Sequence, residues 1–316
     1  MDYIKSNIIN KKGRTNMFKI RLHGRLGNQL FIYAFARKCM EKYGQKVIIY
    51  DRKDEMDKMW HSHLDGYNLH PKINFISDRK KFMKMNWYTK ILYRYDHFRT
   101  KNKSPREKHE TQKKWLYYYI KNGLILFTDG YFELPDKVPS NVYCDGYFQS
   151  AKFFDDIKEK LLLELKPKEE HTNDEKQFIE QIKSTTSVCL TVRLGDYIGN
   201  STHQVCTAKY YINAMKKMKE LYPDCVFYAF SDEVEKLKTI FKFDYPIIYD
   251  SGKSKDYMSL DVMSYCKHFI ISNSSFSWWA QYLSTHEKKT VIAPSRWYAK
   301  DVPTDIMQDN WILMEC

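Results

Sequence analysis

Arg193-Leu194-Gly195-Asp196-Tyr197 directly follows the apolar run Val188–Val192. A planar guanidinium at a strand end suits a diphosphate, because it makes two parallel charge-assisted hydrogen bonds. Asp196 would hold that arginine or face a sugar; an ordinary surface Arg–Asp pair is the plain alternative. Ser272-Asn273-Ser274-Ser275-Phe276-Ser277 follows a second apolar run, Phe269–Ile271, and precedes a helical pattern. Hydroxyls and backbone N–H groups at a helix N-terminus make an anion site, although a serine-rich stretch also serves as a simple cap. Ser231-Asp232-Glu233 ends a third run, Val226–Phe230, and its acids suit ribose hydroxyls or the N-cap of the next helix. Asp261 has the chemistry to accept from guanine N1–H and N2 amine, or to be an exposed helix acid. Two phosphate-suited features at neighbouring strand ends point to a substrate carrying a diphosphate.

The elements that must position these groups alternate. Strand patterns at Val188–Val192, Val226–Phe230, Ile247–Tyr249, Phe269–Ile271 and Val291–Ala293 are separated by helical stretches at Lys209–Leu221, Val234–Phe241, Tyr257–Cys266 and Ser277–Ser284. Such alternation means a parallel sheet with helices on both faces, whose ligands bind past the carboxyl ends of the strands. The N-terminal part opens as a β-α-β unit: Phe18–Leu22, a glycine turn with Gly24 and Gly27, a helix over Gln29–Tyr43 capped by Gly44, then Lys46–Tyr50. Residues from about Asp54 to Leu134 are less regular. A helix is expected over Ala151–Leu165, and Pro167 with the polar run Lys168–Asp174 marks a boundary. The expected organisation is therefore an extension or upstream start at 1–16, an N-terminal domain at 17–166 and a C-terminal domain at 167–316.

Composition narrows the function classes. The 316 residues suffice for two ordinary cores, and 25 tyrosines, 18 phenylalanines and seven tryptophans bring the aromatic content to 16%. No apolar run reaches the length of a membrane span, and the basic N-terminus lacks the apolar core of a secretory signal. Seven cysteines, odd in number and without a C-x-x-C pair, suit a reducing cytoplasm. The charge of +13 concentrates in Arg79–Lys114, where Trp87, Tyr88, Ile91, Leu92 and Tyr95 fall at helical spacing beside the basic residues. That stretch reads as a solvated basic face, a membrane-surface helix attracted to anionic lipid, or a nucleic-acid patch without any accompanying nucleic-acid motif. The chain lacks G-x-x-x-x-G-K-[ST], the full G-x-G-x-x-G, H-E-x-x-H and D-x-D. His61, His63 and His70 read as loop histidines, so no metal site is expected.

Several ordered segments resemble one family. Gly24-Arg25-Leu26-Gly27-Asn28-Gln29-Leu30-Phe31 resembles the G-x-L-G-N-Q-M-F opening of bacterial α-1,2-fucosyltransferases, glycosyltransferase family 11, and protein O-fucosyltransferases carry a related G-R-F-G-N-Q. Asp145–Phe154 is similar to the family's G-Y-[FW]-Q-S-x-K-[YF]-F, Thr191–Tyr197 to H-x-R-R-x-D-Y, and Phe230-Ser231-Asp232 to F-S-D-D. Ser259–Ser264 followed by Ile271–Trp279, and Val291–Tyr298, resemble its closing blocks. The resemblance departs at Thr191, where the family has histidine, at Leu194, where it has a second arginine, and at Glu233, where it has aspartate.

The resemblance implies an α/β fold of the GT-B type, two Rossmann-like domains facing a central cleft. It implies an inverting, metal-independent transfer of fucose from GDP-fucose to a galactose-type hydroxyl in α-1,2 linkage, with no cofactor beyond the sugar nucleotide. Arg193 would hold the diphosphate with Asp232, Asn273, Ser274, Ser275 and Phe276, and Asp261 would take the guanine. Gly27 and Asn28 would face the donor across the cleft. Arg193 and Asp196 are the catalytic candidates, with Glu233 and His23 as further candidate bases; His23, Tyr147 and Gln149 are candidate acceptor contacts. A galactosyl or mannosyl donor on the same fold remains an alternative, as does a non-catalytic basic module that would explain the charge but not the ordered motifs. The acceptor would be a cell-surface glycan precursor, in free or lipid-linked form, the latter at the inner face of the cytoplasmic membrane with the basic stretch against that surface; the oligomeric state is not set by these residues.

Overall fold

The computed structural model describes residues 16–52, 63–127 and 129–316. The expectations for the N-terminal extension, Asn16 aside, and for His61 lie outside them. The first sheet is parallel, in the order β3-β2-β1-β5-β4. Its strands are β1 (Met17–Arg21), β2 (Lys46–Tyr50), β3 (Ile73–Ile76), β4 (Leu124–Leu126) and β5 (Asn141–Asp145). Its helices are α1 (Leu26–Tyr43), α2 (Arg79–Phe82), α3 (Trp87–Thr100) and α4 (Pro105–Lys121). Helices α5 (Lys158–Glu164) and α6 (Asn173–Ser184) lead to the second sheet.

That second sheet is also parallel, in the order β11-β10-β9-β6-β7-β8. It comprises β6 (Ser187–Val192), β7 (Val226–Ser231), β8 (Ile247–Tyr249), β9 (His268–Ile270), β10 (Val291–Pro294) and β11 (Ile312–Met314), with α7 (Ala208–Leu221), α8 (Val234–Ile240), α9 (Asp256–Ser264) and α10 (Ser275–Leu283) between them. Every residue of the central strand β6 is buried, as expected where helices cover both faces of a parallel sheet.

The stretch read as irregular holds β3, β4 and three helices. Helix α4 starts with a capping box, Ser104 with Glu107, and α6 with another, Thr172 with Glu175. The helix expected over Ala151–Leu165 forms only from Lys158, after two single 3-10 turns at Ala151–Phe153 and Asp155–Ile157. The reason is packing. Phe153 stands edge-on to Phe35, 5.2 Å away, while the adjacent Phe154 stacks on Trp279 at 5.7 Å, and tight turns let neighbours serve these different partners.

Helix α1 is buried on nearly all sides, which means a helix enclosed by the fold rather than lying on its surface. One side covers the first sheet, and another meets α10. Phe31 packs 4.5 Å from Trp278 and 5.2 Å from Trp279, and the Trp279 indole N–H donates to the Gly27 carbonyl at 3.0 Å. One hydrophobic core therefore runs through both halves. Gly27 is required at the contact: a Cβ there would sit 2.5 Å from the Phe276 nitrogen and 2.6 Å from the Ser275 carbonyl carbon. Gly27→Ala is expected to destabilise the protein by about 1–3 kcal/mol through this overpacking, measured as the shift in urea unfolding midpoint at constant m-value.

The outer face of α3 is unusual. Trp87, Ile91, Tyr95 and Phe98 recur at helical spacing and are exposed, Trp87 at 74% and Phe98 at 82%. No helix among the described residues is long and apolar enough to cross a membrane.

Candidate active site

A cavity of about 770 Å³ opens where the carboxyl ends of the two sheets face each other. The first half contributes Arg25, Gly27 and Asn28 from the turn after β1, Asp129 from the loop after β4, and Tyr147 and Gln149 after β5. The second half contributes Arg193, Asp196 and Tyr197 after β6, Asp232 after β7, Asp250 after β8, and residues 272–277 after β9.

Arg193 is held from two sides. Its guanidinium donates to Asp196 at 2.7 and 3.2 Å and lies 3.3 Å from Asp232. Asp232 does not cap α8, although it lines the cavity. Its two oxygens accept from the backbone N–H groups of Leu194 at 2.9 Å and Gly195 at 3.0 Å, which folds the loop that aims Arg193. Gly195 is needed for this, since a Cβ would lie 2.5 Å from that carboxylate. Asp196 also lies 3.7 Å from Arg25, so two guanidiniums from opposite halves share one carboxylate. Burial pushes the Asp196 carboxyl up, but Arg193 and then Arg25 more than offset this, and it ends below the ordinary range.

The loop after β9 is built around Asn273. Its side-chain amide donates at 2.9 Å to both the His203 and Trp297 carbonyls, and the residue is 2% exposed. The Asn273 side chain thus fixes the loop and is not available as a donor ligand. Ser274 caps α10 by accepting from the Phe276 N–H, while the Tyr197 hydroxyl donates to the Asn273 carbonyl and ties the two loops together. The first turn of α10, Ser275 to Ser277, lines the cavity with its positive dipole end.

Two sequence assignments move. Asp261 does not line the cavity: its buried carboxylate bonds His171 Nε2 at 2.8 Å and lies 3.6 Å from Lys166. Asp250 stands in the cavity wall instead, its carboxyl raised by burial against the opposing N–H groups of Gly252 and Ser251. His23 also lies outside the lining residues. It bonds Asp145 at 2.6 Å, with its ring 5.6 Å from that of Tyr147, and so backs the wall rather than forming it. Tyr147, Gln149 and Asn28 do line it, and the Gln149 side-chain amide donates to Asn28 Oδ1 at 2.8 Å. His63 pairs with Asp256 at 2.7 Å, and that bond raises its basicity. The departures also find their places. Leu194 is buried in the core of the second half, and Thr191 accepts from the Ser272 N–H, joining β6 to the loop after β9.

The family model for glycosyl transferase family 11 matches residues 17–315. The chain belongs to glycosyltransferase family 11. Within reach of this family, an α-1,2-colitosyltransferase of Escherichia coli is 32% identical over 180 residues, covering 54% of this chain and 61% of that relative, somewhat under two thirds of its length. The O-antigen biosynthesis glycosyltransferase WbnK of Escherichia coli is 28% identical over 92% of this chain and 98% of its own. Among solved structures, the α-1,6-fucosyltransferase NodZ co-crystallized with GDP superposes with a TM-score of 0.50 at 14% identity, over 84% of this chain and 92% of that one. The family chain thus has the two-sheet GT-B fold of the fucosyltransferases.

Arg25 is the residue the family motif conceals, because it occupies a variable position of the G-x-L-G-N-Q opening. Asp129 and Asp250 belong to no motif. Asp232→Ala would leave two backbone N–H groups without their acceptor and release one anchor of Arg193. Since the Arg193 guanidinium lies 3.3 Å from Asp232 and offsets its charge, that charge adds little repulsion in the cavity. Affinity for a nucleoside diphosphate, measured by calorimetry, is expected to fall about tenfold or more, equivalent to about 1.4 kcal/mol; tighter binding would show that repulsion dominates.

Proposed function

We propose that this family 11 glycosyltransferase transfers fucose from GDP-fucose to a galactose-type hydroxyl in α-1,2 linkage, by direct displacement with inversion and without a metal ion. The observation that carries the reading is the pairing of Arg193 and Arg25 on Asp196 beside the first turn of α10. Two guanidiniums and a helix N-terminus suit a leaving diphosphate, whose developing charge is the main electrostatic demand of the reaction. The acceptor oxygen bonds to the anomeric carbon as the bond from that carbon to the phosphate oxygen breaks, the electron pair leaving with GDP. Arg25 supplies from the other half the second cation that Leu194 does not. The guanine would lie toward Asp250, a carboxylate able to accept from N1–H and the N2 amine, in place of the buried Asp261.

A second reading has a different deoxy sugar on the donor, favoured by the 32% identity to the α-1,2-colitosyltransferase. Incubation with GDP-fucose, GDP-colitose, GDP-mannose and UDP-galactose separates the readings through release of GDP or UDP. GDP-fucose turnover unaffected by EDTA is expected, with thermal stabilisation by GDP and not UDP. Arg193→Ala is expected to lower turnover by about 10²–10³; an unchanged rate removes the diphosphate assignment.

We also propose that the acceptor is lipid-linked and that the enzyme works peripherally on an anionic membrane face. The exposed Trp87, Ile91, Tyr95 and Phe98 stripe of α3, flanked by exposed Lys90 and Arg94, supports this. Aromatic side chains at that depth with cations beside the headgroups are what an interfacial helix presents. Co-sedimentation with phosphatidylglycerol vesicles but not phosphatidylcholine is expected. Removing Trp87 and Phe98 together should weaken it about tenfold or more; binding indifferent to lipid charge or to these residues counts against the surface.

A further inference from the structure

The proposed displacement requires a group to take the proton of the attacking hydroxyl, and the acids and histidines first considered are engaged. Asp196 is bonded to Arg193 and near Arg25. His23 is bonded to Asp145 behind the wall, and Glu233 does not line the cavity. His63 is bonded to Asp256, which favours its protonated form.

Asp129 differs from all of these. It lines the cavity from the first half, across from the diphosphate site, with Tyr147 and Tyr298 as neighbours. Among the described residues, its carboxylate has no hydrogen-bond or ion-pair partner, and Lys108 is the cation that acts on it through space. Its backbone is nonetheless held firmly. The Asp129 carbonyl meets His109 Nδ1 at 3.0 Å, and two residues on, the Tyr131 N–H donates to Asp305 of the second half at 2.6 Å. A carboxylate on a loop pinned from both halves, open to the cavity and without a partner, has the geometry of a proton acceptor.

We propose that Asp129 is the general base of the transfer, an assignment that rests on the glycosyltransferase reading above. It accepts the proton of the acceptor hydroxyl as that oxygen bonds to the anomeric carbon; the electron pair of the breaking carbon–oxygen bond leaves on GDP, and the proton remains on Asp129 until solvent removes it. Burial pushes the Asp129 carboxyl up to about 6, against the smaller opposing pull of Lys108. Its other charged or titratable neighbours are His109 and Asp305 at its loop and Tyr147 and Tyr298 in the wall, and burial keeps both phenols protonated at neutral pH. His203, stacked 5.3 Å from Tyr197 and 5.7 Å from Tyr298, is the rival base, since burial keeps it neutral.

The test uses the full chain, GDP-fucose, GDP-colitose and GDP-mannose as donors, and water as the acceptor common to all. Wild-type GDP release, as kcat/KM, should rise with pH through about 6, as the base loses its proton. Asp129→Asn should lower the rate by about 10²–10⁴ and abolish that rise, Asp129→Glu should recover part of both, and GDP should still raise the melting temperature of either variant. A variant Asp129→Asn that keeps the wild-type rate and pH profile overturns the assignment, as does a profile that disappears in His203→Gln instead. Failure of the wild type to release GDP from any of these donors, or to be stabilised by GDP, removes the underlying transferase reading and this assignment with it.

Discussion

The hydrogen bond from the Trp279 indole to the Gly27 carbonyl marks the point where the two halves become one molecule. Around it, Phe31, Phe154, Trp278 and Tyr282 close an aromatic cluster, and Tyr282 donates to Asp155 while Trp278 donates to the Ile306 carbonyl. Each polar ring end of this cluster thus finds a partner. The glycine turn after β1 and the serine turn before α10 are adjacent because of this contact. The cavity exists between sheets whose relative placement the cluster sets.

Within the cavity, charge is arranged in a chain. Arg25, Asp196, Arg193 and Asp232 alternate in sign, the last of them anchored by backbone N–H groups. Asp196 is the most exposed of its carboxylates and the one shared by both arginines. An entering diphosphate has the same charge sign and a better fork geometry for two guanidiniums. A diphosphate on the proposed donor would therefore approach the open sides of both guanidiniums while Asp196 keeps its bonds to Arg193. Asp232, by contrast, is a fixed part of the loop.

Much of this was legible in the sequence where local rules and global packing agree. The alternation of strands and helices in the second half, the anion-suited turn at residues 272–277, and Arg193 at a strand end all follow from periodicity and the chemistry of helix ends. The misreadings have a common physical cause. Asp261 and His23 have the right chemistry, but His171 and Asp145, distant in sequence, take their hydrogen bonds and hold them off the cavity. Asp232 looked like a helix cap because sequence does not reveal that Gly195 admits its carboxylate to the backbone. Asp129 carries no motif at all, and its place in the cavity wall is visible only from what surrounds it. The capping boxes at Ser104 and Thr172 were readable and would have located α4 and α6.

The continuous core has a bearing on how the protein can be taken apart. Trp278, Trp279 and Tyr282 are buried against α1 and Phe154, so a fragment carrying only the second sheet would present a broad aromatic face to water. Such a face promotes association, and a fragment of this kind would aggregate or recruit another surface to cover it. Exchanging halves between relatives would succeed only if Gly27, Phe31 and Phe154 travelled with the α10 they fit. The unit of inheritance, in that sense, is the seam between the sheets as much as either sheet.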